Sequence, residues 1–373
     1  MKPKSCFMKL ALELAKKRKG LTHPNPTVGA VIVKDGKVIG KGYHKKAGMP
    51  HAEVKAINDA LSKGFSLENS TIYITLEPCC HYGKTPPCTD AIIRHKIKNV
   101  VVATLDPNPL VAGKGIEILK SKGINVYTGV LEKEARKLNE DFFIFIKKKR
   151  PFIHLKLAQT LDGKIATFTR NSKWITGEKS RKYVHLLRKH SSVVMVGVNT
   201  VLKDNPFLTV RYLKTKKQPI RILIDKDLKT PKNFNIFNSD ARTVIFVSQE
   251  LNKEKLNEYK SSHIEFVRLS LLNGKFKLSD IIEELYKRNV MHILVEGGSN
   301  LITQFIRENL FDKLSIFIAP KIVGEEGISS VGKLNISYIS DAIKLKREKV
   351  RIFDEDIYLE LYNPHSFDEI FKT

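Results

Sequence analysis

The residues best equipped for chemistry fall in one stretch. It reads His51-Ala52-Glu53, then about one helix and one strand of sequence, then Pro78-Cys79-Cys80-His81 and Pro86-Pro87-Cys88. One imidazole and two thiolates fill three of zinc's four tetrahedral positions and leave the fourth for water. Zinc brings the pKa of that water from about 15.7 toward about 7, so hydroxide exists at neutral pH. A carboxylate two positions beyond the histidine can move protons without being a ligand. His51, Cys79 and Cys88 are therefore the candidate metal ligands, and Glu53 the candidate catalytic residue. Such a site suits attack on an electron-poor ring carbon bearing an amine, with Glu53 taking the water proton and returning it to the leaving ammonia. The competing readings are a structural zinc closed by Cys80 or His81, or no metal at all. Pro78 at a strand exit favours Cys79 as the ligand, with Cys80 pointing elsewhere and His81 beside the ligands or facing substrate. Cys88 opens a helix, where the dipole favours a thiolate. Cys6 is expected in the core.

The surrounding pattern supplies the elements that must hold these groups. Residues 5–18 read as an amphipathic helix and His23-Pro24-Asn25-Pro26 as a rigid loop. Val28–Val33 and Val38–Gly42 form a hairpin about Asp35-Gly36. Glu53–Ser62 reads as a helix, Thr71–Leu76 as the strand delivering Cys79, and Thr89–His95 as the helix after Cys88. Asn99–Thr104 and Asn125–Thr128 read as further strands, with Ile116–Lys122 a helix between them. Glu132–Ile146 reads as one helix and Lys147–Arg150 as a basic connector. From Pro151, apolar strands alternate with helices, as in an open α/β sheet covered on both faces. The expected division is 1–146, the connector 147–150, and 151–373, with Asn363–Thr373 read as a tail.

At 373 residues and 42% apolar content the chain has room for two cored domains. Its four cysteines are too few and too clustered for a disulfide framework, so a cytoplasmic location is expected. No run approaches about 18 apolar residues, so no membrane partner is expected. The net charge of +26 is large, but Lys and Arg are spread along the chain. That spread reads first as solvated surface, then as a match for a phosphorylated substrate and cofactor, and last as a nucleic-acid footprint.

The segment Glu77-Pro78-Cys79-Cys80-His81-Tyr82-Gly83-Lys84-Thr85-Pro86-Pro87-Cys88 departs from the short Pro-Cys-x-x-Cys signature of the cytidine deaminase superfamily, because eight residues separate Cys79 from Cys88. Together with His23-Pro24-Asn25-Pro26, Pro50-His51-Ala52-Glu53 and Asp106-Pro107-Asn108-Pro109, it resembles the deaminase half of the bifunctional riboflavin-biosynthesis deaminase–reductases. The resemblance runs over about 5–145. It implies a cytidine-deaminase-like three-layer domain in which Asn25, Lys84, Asp106 and Asn108 line the pyrimidine pocket. The lesser alternative is that Asn25, Asp106 and Asn108 are only turn formers.

The second half lacks Gly-x-Gly-x-x-Gly but carries Val295-Glu296-Gly297-Gly298-Ser299-Asn300 between a strand and a helix. There backbone amides can meet a phosphate, or Ser299 can simply cap the helix. Leu161-Asp162-Gly163-Lys164, Ser172-Lys173-Trp174-Ile175-Thr176, Gly197-Val198-Asn199-Thr200-Val201 and Asp204-Asn205-Pro206-Phe207-Leu208-Thr209-Val210-Arg211 resemble the reductase half of the same family, over about 151–362. That resemblance implies a dihydrofolate-reductase-like α/β domain using NADPH. It implies cofactor contacts from Ala158, Trp174, Thr200, Asp204, Gly298, Ser299, Asn300, Leu301, Ile302, Thr303 and Gln304. It implies substrate contacts from Ser172, Arg188, Leu208, Arg211 and Glu296. Arg188 and Arg211 suit a ribose phosphate, since guanidinium grips phosphate bidentately. Trp174 would shape the nicotinamide slot or be a core aromatic, and Lys156 and Asp162 would polarise the ring-opened sugar. The family pattern is broken at Lys226. The expected function is zinc-dependent deamination of a pyrimidine ribose phosphate followed by NADPH-dependent reduction of the ribosyl group, in a homo-oligomer (dimer or tetramer) by resemblance. A nucleic-acid deaminase is the alternative, and a binding module with structural zinc a third reading. The former leaves the second half without a role, and the latter predicts a metal saturated by four protein ligands with no need for Glu53.

Overall fold

In the computed structural model, which describes residues 2–83 and 86–372, the chain divides into two units: residues up to Lys149 with Ile370–Thr373, and Arg150–Glu369. The strands of the first are β1 (Gly29–Lys34), β2 (Lys37–Tyr43), β3 (Thr71–Ile74), β4 (Asn99–Val102) and β5 (Asn125–Thr128). Its helices are α1 (Ser5–Lys16), α2 (Ala52–Leu61), α3 (Cys88–Arg94), α4 (Lys114–Ser121), α5 (Glu132–Leu138) and α6 (Glu140–Lys148). The sheet order is β2-β1-β3-β4-β5, with β1 antiparallel to both neighbours and β3, β4 and β5 parallel. Asp35 and Gly36 both take positive φ (51° and 76°), the conformation a tight hairpin turn requires.

Alternation along β1 sends Ala30 and Ile32 to one face and Val31 and Val33 to the other. The first pair packs with Ile74, Val102 and the apolar sides of α2, α3 and α4; the second packs with Tyr73, Val101 and α1 and α5. The result is a three-layer α/β/α sandwich. Two glycines of β2 set how closely α2 approaches. A Cβ on Gly42 would lie 2.1 Å from the Ala52 carbonyl, and one on Gly40 2.3 Å from that of Ala56. Gly42→Ala is therefore expected to push the helix that carries Glu53 off the sheet and destabilise the unit by about 1–3 kcal/mol. Thermal unfolding checks this, with deaminase activity falling before reductase activity.

Two readings of the first unit change. The expected helix over Glu132–Ile146 is two helices, broken at Asn139 (φ −113°, ψ 26°). Its buried amide accepts from Thr27 N at 2.7 Å and donates to Thr27 O at 3.0 Å, so it serves the loop after Asn25 rather than a continuous helix. Cys6 is exposed, because the buried stripe of α1 starts at Met8 and continues through Ala11, Leu12 and Ala15. α6 runs to Lys148, and Arg150 forms a two-pronged pair with buried Asp312, at 2.7 and 2.8 Å.

The second unit contains, in chain order, β6 (Phe152–Thr160), β7 (Lys164–Ala166), α7 (Glu178–His190), β8 (Val193–Gly197), α8 (Val198–Asp204), β9 (Ile220–Ile224), β10 (Thr243–Ser248), α9 (Lys253–Asn257), β11 (Ile264–Leu269), α10 (Leu278–Lys287), β12 (His292–Val295), α11 (Ser299–Arg307), β13 (Lys313–Ala319), β14 (Ile328–Ser329), β15 (Lys346–Phe353) and β16 (Asp356–Tyr362). The nine-stranded order is β11-β10-β9-β8-β12-β6-β13-β16-β15, parallel except at its last two pairings. Ile153, Leu155, Met195, Ile293 and Val295 pack under α10 and α11, and Val194, Val196 and Leu294 pack with α7 and α8 on the other face. The expected C-terminal tail is instead a helix, α12 (Pro364–Phe371), with Ser366 Oγ donating to Asp312 at 2.6 Å.

Candidate active site

α2 begins at Ala52 with His51 as its N-cap, so the imidazole and Glu53 leave the same helix end. Cys79 follows the β3 exit and Cys88 opens α3. His51 Nδ1 lies 3.5 Å from Cys79 Sγ and 3.3 Å from Cys88 Sγ, and all three donor atoms fall within 4.8 Å of one another. A tetrahedral zinc with Zn–S of about 2.3 Å and Zn–N of about 2.0 Å needs edges of roughly 3.5–3.8 Å, so the donor set fits that ion. Cys79 is pulled down to about 4, first by a hydrogen bond from the Cys88 thiol and then by His51, against the effect of burial. Cys88 is pushed up by Cys79 and by its burial. The two sulfurs thus share one proton, which a cation needing both thiolates displaces. The α3 N-terminus acts on Cys79 rather than on its own first residue, since the Cys88 amide donates to Cys79 Sγ at 3.4 Å. Cys80 Sγ turns toward the Leu110 carbonyl at 3.8 Å. Glu53 is buried beside this cluster, and burial followed by the Cys79 charge pushes its carboxyl up to about 7.

The cluster opens on a cavity of about 460 Å³ whose walls include Asn25, His44, His81, Asp106 and Asn108 as well as His51 and Glu53. The structure thus gathers every expected pocket residue of this unit except Lys84, which lies outside the described residues. Sequence reasoning missed two supports. Buried Glu77 accepts from the amides of Asp106 (3.2 Å), Gly113 (2.9 Å) and Ile116 (3.3 Å), stapling the Asp106–Asn108 loop to the strand that delivers Cys79. Its place immediately before Pro78-Cys79 was the available signal. His44 is buried and bridges Asn25 to Pro50, with nothing in the local sequence to mark it.

Burial pushes the Asp106 carboxyl up to about 7, while the Asn108 amide pulls the other way. A carboxyl raised from about 4 in the unfolded chain favours folding in its protonated form, and that advantage is lost as pH rises through about 7. Asp106→Asn keeps the acceptor for Asn108 without the charge. It is expected to raise the Tm above pH 7, with the gain vanishing below pH 4.

In the second unit, β8, β12 and β6 run parallel, so their carboxyl ends lie together. Chain order also reverses there: β9, β10 and β11 step outward from β8, while β6 and β13 lie beyond β12. Open α/β sheets bind ligands at such a point. Gly298 caps α11, and its amide donates to Thr200 Oγ1 at 3.0 Å; a Cβ there would meet the same oxygen at 3.2 Å. A Cβ on Gly297 would crowd Leu301 at 2.9 Å. Both glycines are thus required by close packing, Gly297 against Leu301 and Gly298 against Thr200, at a helix N-terminus whose dipole favours an anion. Of the other expected cofactor residues, Ala158 lies late in β6, Asp204 ends α8, and Ser299, Asn300, Leu301, Ile302, Thr303 and Gln304 form the first turns of α11, with Ile302 and Thr303 buried. Trp174 is 64% exposed under the Arg181 guanidinium, which removes the core-aromatic reading.

Among the expected substrate residues, Arg188 and Glu296 meet each other. Arg188 Nε and Nη2 donate to the two carboxylate oxygens at 2.5 and 3.0 Å, and Nη1 donates to the Thr209 carbonyl at 3.0 Å. Lys156 Nζ stands 4.0 Å from Glu296. Arg211 stacks on Phe207, Leu208 is buried at φ 55°, and Ser172 lies two residues before Trp174. Lys156, Arg188 and Arg211 outnumber Glu296, so the cluster has cationic charge to spare for a phosphate. Asp162 is not available to the sugar, because Thr160 Oγ1 and the amides of Val323 and Gly324 already occupy its oxygens.

A three-layer fold with a His-Cys-Cys zinc set and a buried glutamate defines a cytidine-deaminase-type unit, joined here to a mostly parallel α/β unit. The cytidine and deoxycytidylate deaminase zinc-binding region matches residues 1–104, and the RibD C-terminal domain matches residues 151–359. Riboflavin biosynthesis protein RibD of Aquifex aeolicus is 53% identical over 95% of this chain and 96% of its own length; that of Escherichia coli is 37% identical over 95% and 98%. The crystal structure of a diaminohydroxyphosphoribosylaminopyrimidine deaminase/5-amino-6-(5-phosphoribosylamino)uracil reductase from Thermotoga maritima, 43% identical, superposes with a TM-score of 0.86 over 96% of this chain and 98% of that one. The chain belongs to the RibD family of riboflavin biosynthesis proteins.

Proposed function

We infer that this chain is a bifunctional riboflavin-biosynthesis enzyme, a zinc-dependent deaminase and an NADPH-dependent reductase. The first activity hydrolyses the 2-amino group of 2,5-diamino-6-(ribosylamino)-4(3H)-pyrimidinone 5′-phosphate, consuming water and releasing ammonia. The second reduces the ribosyl group of 5-amino-6-(5-phosphoribosylamino)uracil to the ribityl product. The observation that carries the reading is the three-donor cluster with buried Glu53 on the wall of one cavity, in a chain matched over nearly its whole length by RibD proteins.

We assign zinc to His51, Cys79 and Cys88, and proton movement to Glu53. Zinc supplies an acidified water. Glu53, pushed up by its burial, is suited to hold that proton and return it to the amine that would leave as ammonia. Asn25, Asp106, Asn108 and Lys84 would hold the pyrimidine and its sugar phosphate. NADPH supplies the hydride. Thr200, Asp204, Ala158, Trp174 and Gly298 through Gln304 would hold it. Arg211 is the stronger candidate for gripping the substrate phosphate, because Arg188 is already engaged by Glu296. Ser172 and Leu208 would complete the substrate wall.

No described helix is long and apolar enough to cross a membrane. A cytoplasmic enzyme is proposed on its unbridged cysteines, and a homo-oligomer, dimer or tetramer, on the family resemblance. A nucleic-acid deaminase would leave the NADPH unit idle. The test is a paired assay, of ammonia release from the pyrimidine phosphate and of NADPH oxidation by its deaminated product. Absence of both sinks the reading.

A further inference from the structure

We propose that His44 is a positioning residue that fixes Asn25 as a hydrogen-bond acceptor toward the deaminase substrate, so that this wall of the cavity selects a ligand presenting an N–H or O–H donor. The proposal rests on the reading of the first unit as a pyrimidine deaminase.

His44 follows β2, is 3% exposed, and is held by its amide to the Val28 carbonyl at 3.0 Å. Its Nδ1 lies 3.4 Å from the Pro50 carbonyl oxygen, and its Nε2 lies 3.1 Å from Asn25 Nδ2. A carbonyl only accepts, so Nδ1 carries the hydrogen. A neutral imidazole has one N–H, so Nε2 offers a lone pair. The group facing it must donate, and of the two ends of the Asn25 amide only the NH2 can do so. Turned over, Asn25 would set two acceptors against each other across a half-buried contact and leave the His44 lone pair without its donor. The Asn25 carbonyl oxygen accepts no hydrogen bond among the described residues, and the residue stands on the wall of the cavity that holds His51 and Glu53. The chain of bonds begins at Pro50, the residue directly before a metal ligand. The ring of His44 also sits edge-on to that of His51, with centroids 5.3 Å apart. Asn25 is thereby oriented relative to the zinc site itself, without His44 touching the reacting atoms.

His44→Phe keeps a ring against His51 and removes the lone pair. The expected result is a KM for the pyrimidine phosphate raised roughly tenfold, kcat changed by less than about threefold, and zinc content unchanged. Asn25→Ala and the double variant His44→Phe/Asn25→Ala should share one KM, since without the Asn25 oxygen there is nothing left to orient. His44→Gln, whose side-chain oxygen can accept from Asn25, should recover part of the loss. Additive KM effects overturn the proposal, as does a loss confined to kcat, or loss of zinc in the Phe variant that Gln does not restore. Long-range proton–nitrogen spectra of the zinc-loaded wild-type protein give a check that needs no variant. His44 should be protonated on Nδ1, and protonation on Nε2 alone overturns the proposal. Wild-type protein without deaminase activity would instead sink the functional reading, and the tautomer would still test the wiring.

Discussion

Glu53→Gln is expected to lower deaminase kcat/KM by roughly a thousandfold while zinc content and NADPH-dependent reduction stay at wild-type levels. The amide has the shape of the carboxyl and is neutral, so a side chain only 3% exposed can be exchanged without leaving a hole or burying a new charge. What it loses is the ability to take up and release a proton. Burial pushes the carboxyl up from its ordinary range toward neutrality, which brings both forms within reach. A general base far below neutrality would release its proton too readily to accept one from water. Metal analysis and the two activities, measured on one preparation, separate the outcomes. Loss of zinc along with activity would make Glu53 a support for the metal, and full activity in the Gln variant would remove it from the mechanism.

Glu296→Ala is expected to destabilise the second unit by about 3–5 kcal/mol and to abolish reduction. The Glu296 side chain is 8% exposed, receives two bonds from Arg188, and has Lys156 at 4.0 Å. Its removal leaves those cations facing each other in a low-dielectric setting with no counter-charge. Burial pushes Glu296 up, but Arg188 and then Lys156 outweigh it, and the carboxyl ends below its ordinary range. A carboxyl lowered on folding stabilises above its unfolded pKa of about 4.3, and the contribution is lost as pH falls through the folded value. The gap in stability between wild type and Glu296→Ala should therefore be full at neutral pH and shrink in acid. Inorganic phosphate should narrow it at neutral pH by occupying the vacated position. Denaturant unfolding followed in the reductase transition reads both effects, and a gap independent of pH would contradict them.

Much of the zinc site was legible because its signals are local. A histidine before a helix, a carboxylate two residues on, and cysteines at a strand exit and a helix start each reveal themselves within a few residues. The same holds for the Asp35-Gly36 hairpin. What stayed hidden depends on contacts distant in sequence. The break at Asn139 is written in its bonds to Thr27, the engagement of Arg150 in its pair with Asp312, and the bridge through His44 in Asn25 and Pro50. Arg188 shows the limit from the other side. Its residue type suits phosphate, yet only the fold reveals that Glu296 has taken its fork first. The tail that proved to be a helix carried no strong periodic signal beyond Phe367, Ile370 and Phe371, and its anchor, Ser366 on Asp312, lies 54 residues away.

The central claim, a three-ligand zinc with one open position beside a proton-carrying carboxylate, is tested most directly by zinc X-ray absorption on the purified full chain together with its metal stoichiometry. The expected result is one zinc with two sulfurs at about 2.3 Å, one nitrogen at about 2.0 Å and one further light ligand from solvent. A zinc enclosed by four side chains, with Cys80 or His81 as the fourth, or a chain that deaminates with no zinc bound, would contradict it.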